Sequence, residues 1–557
     1  MDGYRLWPEK TLTSPRGCHL GHHKAWLDFS EERESDNHDN PPISRMHFFD
    51  IIQMKLNAAI KLQHHPSRWL HVHMMFKPKD PVPNPTTSRL RILNHLDNEL
   101  NLLRRILIAH RVMQHSESSG LLATEQWGGR KGKQCIDLAL HSELLLHILH
   151  LSRTNASCTD FDAKACFDFI APSLLSLAYS KGGASEQVTN LLGKALLRSR
   201  YYPTTDHGVS EKYNTHSPDS PFCGSGQGSC DGTASWVHTC NPCIKAYKER
   251  ARGLNIFDPT GTIPTDGSIA VFVDDVKLFH NSPSNSQLQT ASNTQHDTQL
   301  WTNVLWGSGG LANMKKTHTT PIFWEFNRHG HPKLSIPTDF NLTVLDPSTS
   351  SPYPLKTKGP KDHNRYLGVW KSCDLTDSAQ EAILTERSTS FSNSLRLVST
   401  DKRGAVLLYT TVFFPRIAYP SPCLSLSSKS CSSIESPAMK SLLRQVSLPQ
   451  TFPRAILFAP PTHEWTLPSV PRVLTRCGKS NANNSTSTPQ NTPWGKNKEP
   501  PQLVPSILGA GHPNPAKTHP GILCILPLDI IPGGVPPIIQ PFHADRRHMV
   551  PRAPSTT

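Results

Sequence analysis

Apolar positions along the chain follow two periods. From Phe48 to Leu62 they return at helical intervals through Phe49, Ile52, Met54, Ala58 and Leu62. This predicts an amphipathic helix that ends near Pro66. Leu96, Leu100, Leu103 and Leu107 form a second helical stripe, with Arg104, Arg105 and Arg111 beside it. Ile136, Leu140, Leu144 and Ile148 recur every four residues and predict another buried helix. Shorter apolar runs predict strands at Trp69–Phe76, Arg89–Leu93, Pro321–Phe326 and Tyr366–Trp370. Leu395 to Phe414 and Met439 to Leu448 read as helices, separated by a serine-rich loop from Ser421 to Ser436. Beyond Pro471 prolines crowd in, only Glu499, Asp529 and Asp545 are acidic, and no periodic apolar face remains, so a disordered tail is expected.

One stretch breaks the pattern chemically. Ile269 to Val273 is an apolar run that meets two adjacent acids, Asp274 and Asp275, and an apolar-rich segment resumes at Val276. This predicts a β-hairpin with two carboxylates at its tip. Two readings are open from these residues alone. One is an exposed Asp-Asp turn. The other is a divalent-metal site, because like charges at the edge of a core repel unless a cation lies between them.

Charge then narrows the class of partner. Among 557 residues Lys and Arg outnumber acids 58 to 44, which favours a polyanion such as nucleic acid. A membrane partner is not expected. The apolar stretch from Gly521 to Ile539 is interrupted by Asp529 and four prolines, and Met1 to Lys10 is too charged for a signal peptide. An intracellular setting follows, with the nucleus suspected. The 13 cysteines are scattered, so no disulfide framework is expected. Cys240-Asn-Pro-Cys243 near His238 has half of a zinc spacing and lacks the other half. His22-His23 and His64-His65 are expected at the surface.

Several further stretches carry candidate chemistry. Gln126-Trp-Gly-Gly-Arg-Lys-Gly-Lys133 is a glycine-rich basic loop suited to close backbone approach to phosphate. Asp160-Phe-Asp-Ala-Lys-Ala-Cys-Phe-Asp168 holds three acids in nine positions, and Gly224-Ser-Gly-Gln-Gly-Ser-Cys230 is a turn-rich segment where a ligand can approach. In this order, with Phe272-Val-Asp-Asp275, Leu311 to Thr317 and Tyr366 to Trp370, they resemble motifs A to E of the reverse transcriptases of non-LTR, LINE-like retrotransposons. The likeness is to the branch whose motif B reads Gly-x-Gly-Gln-Gly-Ser. It extends over about residues 10 to 465, since Thr13–Lys24, Met74–Asp80, Leu90–Ile92, Glu125–Lys133, Leu407–Pro422 and Pro449–Pro461 resemble flanking segments of that branch. Departures are Gly232-Thr233 in place of the Ser-Pro that closes motif B, Phe169 after Asp168, and the extra acid Asp160.

The resemblance implies an α+β right-hand polymerase with fingers, an antiparallel-sheet palm and a helical thumb. The corresponding boundaries are an N-terminal extension at 1–45, partly disordered, fingers and palm at 46–375, a thumb-like helical region at 376–470 and the Pro-rich tail at 471–557. It implies RNA-directed DNA synthesis from an RNA template, a DNA primer and deoxynucleotide triphosphates. Asp162, Asp274 and Asp275 would hold two Mg²⁺ ions, with Mn²⁺ as a substitute. Lys77 and Arg91 would hold the triphosphate, and Phe167 would lie under the incoming sugar. Gln227 and Gly228 would position template and nucleotide, and Lys316 would neutralise or protonate the departing pyrophosphate. No separate endonuclease is expected at the front and no RNase H domain in the tail. Two rival readings are a decayed, inactive copy of the same fold and a basic nucleic-acid-binding protein without catalysis.

Overall fold

The computed structural model describes residues 4, 7, 19–27, 45–79, 86, 89–164, 167, 170–217, 224, 226–257, 264–337 and 340–452. The expected tail at 471–557 lies outside them. The described chain is mixed α+β, with helices around several sheets. Strands β1 (His71–Pro78) and β2 (Leu90–His95) pair antiparallel, β3 (Ala156–Lys164) opens a second sheet, and β4 (Arg200–Thr205) and β5 (Gly208–Val209) return to the first. The first sheet runs β2-β1-β4-β5, with β4 parallel to β1.

The second sheet is central. It adds β6 (Ile269–Phe272), β7 (Asp275–Asn281), β8 (His318–Phe326) and β9 (Pro332–Ser335) in the antiparallel order β9-β8-β3-β7-β6. The short pairs Leu311–Ala312 on β3 and Lys356–Thr357 on β8 complete it. A hairpin of β10 (Asn364–Tyr366) and β11 (Val369–Lys371) turns at Leu367-Gly368, both left-handed. Beyond it the Ser378–Leu397 helix packs on the Ser428–Gln445 helix around Leu384, Tyr409, Phe413, Ile434 and Met439.

Strand alternation gives the central sheet two faces of different chemistry. Phe161, Val271, Val276 and Leu278 join the main core with Trp301 and Leu305 of the Gln287–Gly307 helix. That helix also buries Thr290, Asn293, Thr294, Asp297 and Thr298. Ser157 meets Thr294 at 2.6 Å, and Asp297 accepts from the Arg252 and Gly253 N–H groups. Such a helix leaves no hydrophobic period, and for that reason the apolar pattern does not announce it.

Several expectations from the pattern are corrected. In the Cys135–Ser152 helix Leu144 and Ile148 are exposed, and Leu138, Leu145, Leu146 and Leu149 are buried. Both faces of this helix are apolar, so a four-residue period catches only part of the buried surface, the half-buried Ile136 and Leu140 packed against Val369 and Cys423. It is long and apolar enough to cross a membrane, yet its buried Glu143 meets Lys371 at 2.8 Å, as in a core helix. The expected Leu395–Phe414 helix is broken after Leu397, where Asp401 caps a new start by accepting from the Gly404 N–H at 2.7 Å. Most of the expected Ser421–Ser436 loop is helical, because Ser427 caps the Ser428–Gln445 helix, and its buried Cys431, Ile434 and Met439 supply an apolar stripe. His23 and His65 are buried, not superficial, and His65 Nε2 meets the Leu191 carbonyl at 2.7 Å. Within the expected extension at 1–45, Leu20–Leu27 is a helix, and Tyr4 and Trp7 are buried in the main core.

Candidate active site

The acid pair sits where the apolar run predicts it, in the turn between β6 and β7. Val273, at φ 58°, makes this turn in the left-handed region. A β-branched residue is costly there, on the order of 1–3 kcal/mol. Asp162, from the end of β3, stands directly opposite Asp275 as the last Cα pair of the β3–β7 ladder. Residues 113 positions apart in sequence thus share one edge of one sheet face.

Period-two alternation lines up the rest of that face. Asp160 lies opposite Lys277 on β7 and His318 on β8. Its carboxylate meets Lys277 Nζ at 3.1 Å and His318 Nε2 at 3.3 Å. Burial alone would raise the Asp160 carboxyl, but Lys277 and His318 override it and bring it down to about 2. Asp160 is therefore committed to an internal ion pair, and Asp162 is the acid presented at the strand end. Lys277 lies 4.3 Å from the Tyr366 ring centroid, which fastens the β10–β11 hairpin over this face.

Asp162 Oδ2 accepts from Asn313 Nδ2 at 2.8 Å, and Lys316 Nζ is 3.4 Å from Oδ1. Asn313 also fixes the backbone there, its N–H donating to the Asp162 carbonyl at 2.8 Å. Asp275 behaves differently. Partial burial, then the charges of Asp274, Asp162 and Asp160, push its carboxyl up to about 6, with Lys316 opposing. Asp160, Asp162 and Asp275 line a recess of about 210 Å³ together with Lys316, Lys358, Arg365 and Tyr366. Among the described residues no three His, Cys, Asp or Glu side chains close around a single point as a metal cage.

The glycine-rich loop after Gln126 approaches the acid turn closely. A Cβ on Gly128 would lie 2.3 Å from the Val273 nitrogen, so only glycine fits against this backbone. Glu125 and Trp127 exchange backbone hydrogen bonds with Val271.

The Gly224–Cys230 turn is pinned to the first sheet and to a buried network. The Asn94 N–H donates to the Gln227 carbonyl at 2.7 Å, and a Cβ on Gly228 would come within 2.6 Å of the Asn94 carbonyl oxygen. The Cys230 N–H donates to Asn101 Oδ1 at 2.8 Å. Asp231, fully buried, accepts from Arg104 Nε at 2.9 Å, from the Tyr179 hydroxyl at 3.0 Å and from Ser229. The Gly232–Lys248 helix begins here. The half-buried Phe167 ring lies 3.8 Å from where a Gly232 Cβ would stand and packs on the main core. Cys240 and Cys243 are buried along the same helix.

Of the predicted residues, the fold brings together Asp162, Asp275 and Lys316, with Asp274 adjacent in the turn. Lys77 and Arg91 are exposed Cα partners on β1 and β2, and neither makes an ion pair with Asp162 or Asp275. Gln227 and Gly228 join the turn to β2. Asp168 lies outside the described residues. Sequence reasoning missed Asn313, Gln126, Trp236 and the Arg104–Asp231 pair. The first two lay inside recognised motifs, but nothing in their spacing shows what an amide will touch. The sequence matches no protein-family model, and no curated protein is significantly similar to it.

Proposed function

We propose that this chain is an RNA-directed DNA polymerase of the non-LTR retrotransposon kind. In this reading the four-stranded sheet belongs to the fingers, the central sheet is the palm, and the helices after Ser378 are the thumb. The observation that carries it is the register that sets Asp162 opposite Asp275, next to Asp274, at the open end of a face otherwise neutralised by Lys277.

The donor set fits Mg²⁺, which takes hard oxygens and draws on one or two carboxylates together with water and substrate phosphates. Burial and then the repulsion of Asp274, Asp162 and Asp160 push Asp275 up to about 6, and the repulsive part is a surplus of negative charge that a cation would relieve. Asp162, Asp274 and Asp275 would hold the ions, whose chemistry when bound is charge stabilisation at the attacking and departing oxygens. Lys316, already beside Asp162, would meet the departing pyrophosphate. Lys77 and Arg91, paired at an exposed sheet end, would hold the triphosphate. Phe167 would carry the sugar, with the Gln227-Gly228 turn beside it.

Primer extension on a homopolymer RNA template with a DNA primer, deoxynucleotides and Mg²⁺ tests the proposal. Template-dependent product is expected, and its absence with both Mg²⁺ and Mn²⁺ would refute it. The hold of Asn313 and Lys316 on Asp162 favours a second reading, a non-catalytic nucleic-acid binder of the same fold. Binding of primer-template without extension would select it.

A further inference from the structure

We infer that Gln126, assisted by Trp236, is a positioning residue for the Asp274–Asp275 turn, a buried clamp that keeps Val273 left-handed. The inference rests on the polymerase reading for its functional consequence and on geometry alone for the clamp itself.

Both backbone polar groups of Val273 are taken by side chains remote in sequence. Its N–H donates to Gln126 Oε1 at 3.2 Å, and its carbonyl accepts from the Trp236 indole N–H. Gln126 Oε1 also accepts from the Gly128 N–H at 3.0 Å. These two backbone donors fix which end of the amide faces the turn, since the reversed amide would set N–H against N–H. Gln126 is fully buried, and its Nε2 meets no acceptor among the described residues. A buried amide with an unsatisfied end is destabilising in itself, so its place here is accounted for by the two bonds its oxygen makes.

The clamp is itself held rigid. Arg130 Nη1 donates to the Ala123 and Gln126 carbonyls at 2.8 and 2.9 Å, and its guanidinium forks onto Glu117 at 2.6 and 2.7 Å. Gly128 leaves no room for the turn to retreat towards the loop. Released from these contacts, Val273 would fall back to negative φ and rotate the peptide that leads into Asp274. The two carboxylates would then leave the edge they share with Asp162. Gln126 touches no reacting atom and acts through Val273.

The test compares Gln126→Met, which keeps volume and removes the acceptor, with Trp236→Phe, which removes only the indole donor. Hydrogen–deuterium exchange of the peptide spanning Phe272 to Asp275, read against global unfolding, should accelerate about tenfold or more in Gln126→Met without a matching loss of global stability. Extension kcat should fall by about tenfold to a hundredfold with primer-template affinity retained, as expected for misplaced reacting groups. In a Val273→Gly background, where the left-handed region is open without help, Gln126→Met should cost less than about threefold. An equal factor in both backgrounds would overturn the clamp, as would wild-type exchange and kcat in Gln126→Met. Should Gln126→Met fail to fold, Trp236→Phe carries the same comparisons. If the unmutated chain does not extend a primer, the polymerase reading fails. The exchange measurement alone then decides the clamp, and unchanged exchange rejects it.

Discussion

Asp275→Asn should stabilise the metal-free protein, by an amount that grows as pH rises from about 4 to about 6 and is complete above that. The carboxyl of Asp275 is pushed from its ordinary 3.8 to about 6, first by burial and then by Asp274, Asp162 and Asp160. The native protein therefore keeps this proton at pH values where the unfolded chain has released it. Protons favour the native state, and stability falls as pH rises from about 4 to about 6 and stays lower above. A shift of that size corresponds to roughly 3 kcal/mol for a fully enclosed group. The Asp275 side chain is open to solvent on one side, so about 1 kcal/mol is the better expectation after screening. Urea unfolding followed by tryptophan fluorescence should place Asp275→Asn above the unmutated protein by about this amount at pH 8, with a markedly smaller gap at pH 5. Millimolar Mg²⁺ should then raise the unmutated protein and leave the variant behind, because only the native carboxylate set binds the ion. A variant no more stable than the parent at pH 8, or a gap equal at both pH values, would show that Asp275 does not bear its neighbours' charge.

Three further outcomes are expected. Asp274→Asn should abolish extension and leave primer-template affinity within about twofold in a filter-binding assay, since affinity comes from many phosphate contacts. Phe167→Val should raise ribonucleotide relative to deoxynucleotide incorporation by about tenfold, the size of one steric clash at the sugar, in single-nucleotide extension. An unchanged ratio in a folded variant would return Phe167 to a packing role against Gly232. Arg104→Met strands the buried Asp231 carboxylate and should cost about 3–5 kcal/mol in urea unfolding. Adding Asp231→Asn should recover part of that loss.

What the sequence determined by itself is local. An apolar run ending in Asp-Asp can hardly be other than a strand meeting a polar turn, and β6, Val273 and β7 take that form. The Leu96–Leu107 stripe is buried at every position, but so are Leu102, Ile108 and the polar residues Asn98, Glu99, Asn101 and Arg104 between them, so periodicity finds the helix and understates how much of it is enclosed. Where both flanks are apolar, as around Leu144, periodicity has nothing to distinguish them, and packing against the central sheet chooses. Where the buried face is threonine and asparagine, as in the Gln287–Gly307 helix, the pattern is silent because hydrogen bonds replace apolar contact.

The site needed the tertiary structure for the same reason. Asp160 and Asp162 are acids two positions apart on one strand face, and in the sequence only the motif resemblance prefers Asp162. The registers of β7 and β8, which bring Lys277 and His318 to Asp160 and leave Asp162 opposite Asp275, supply the physical distinction between an internal ion pair and a presented carboxylate. The glycines at 128 and 228 declare that something comes close, and the sequence cannot say what. In the folded chain it is backbone, Val273 in one case and Asn94 in the other. Contact identity depends on which distant segments the sheets bring together, and that information is carried by the registers of paired strands and not by any single stretch of residues.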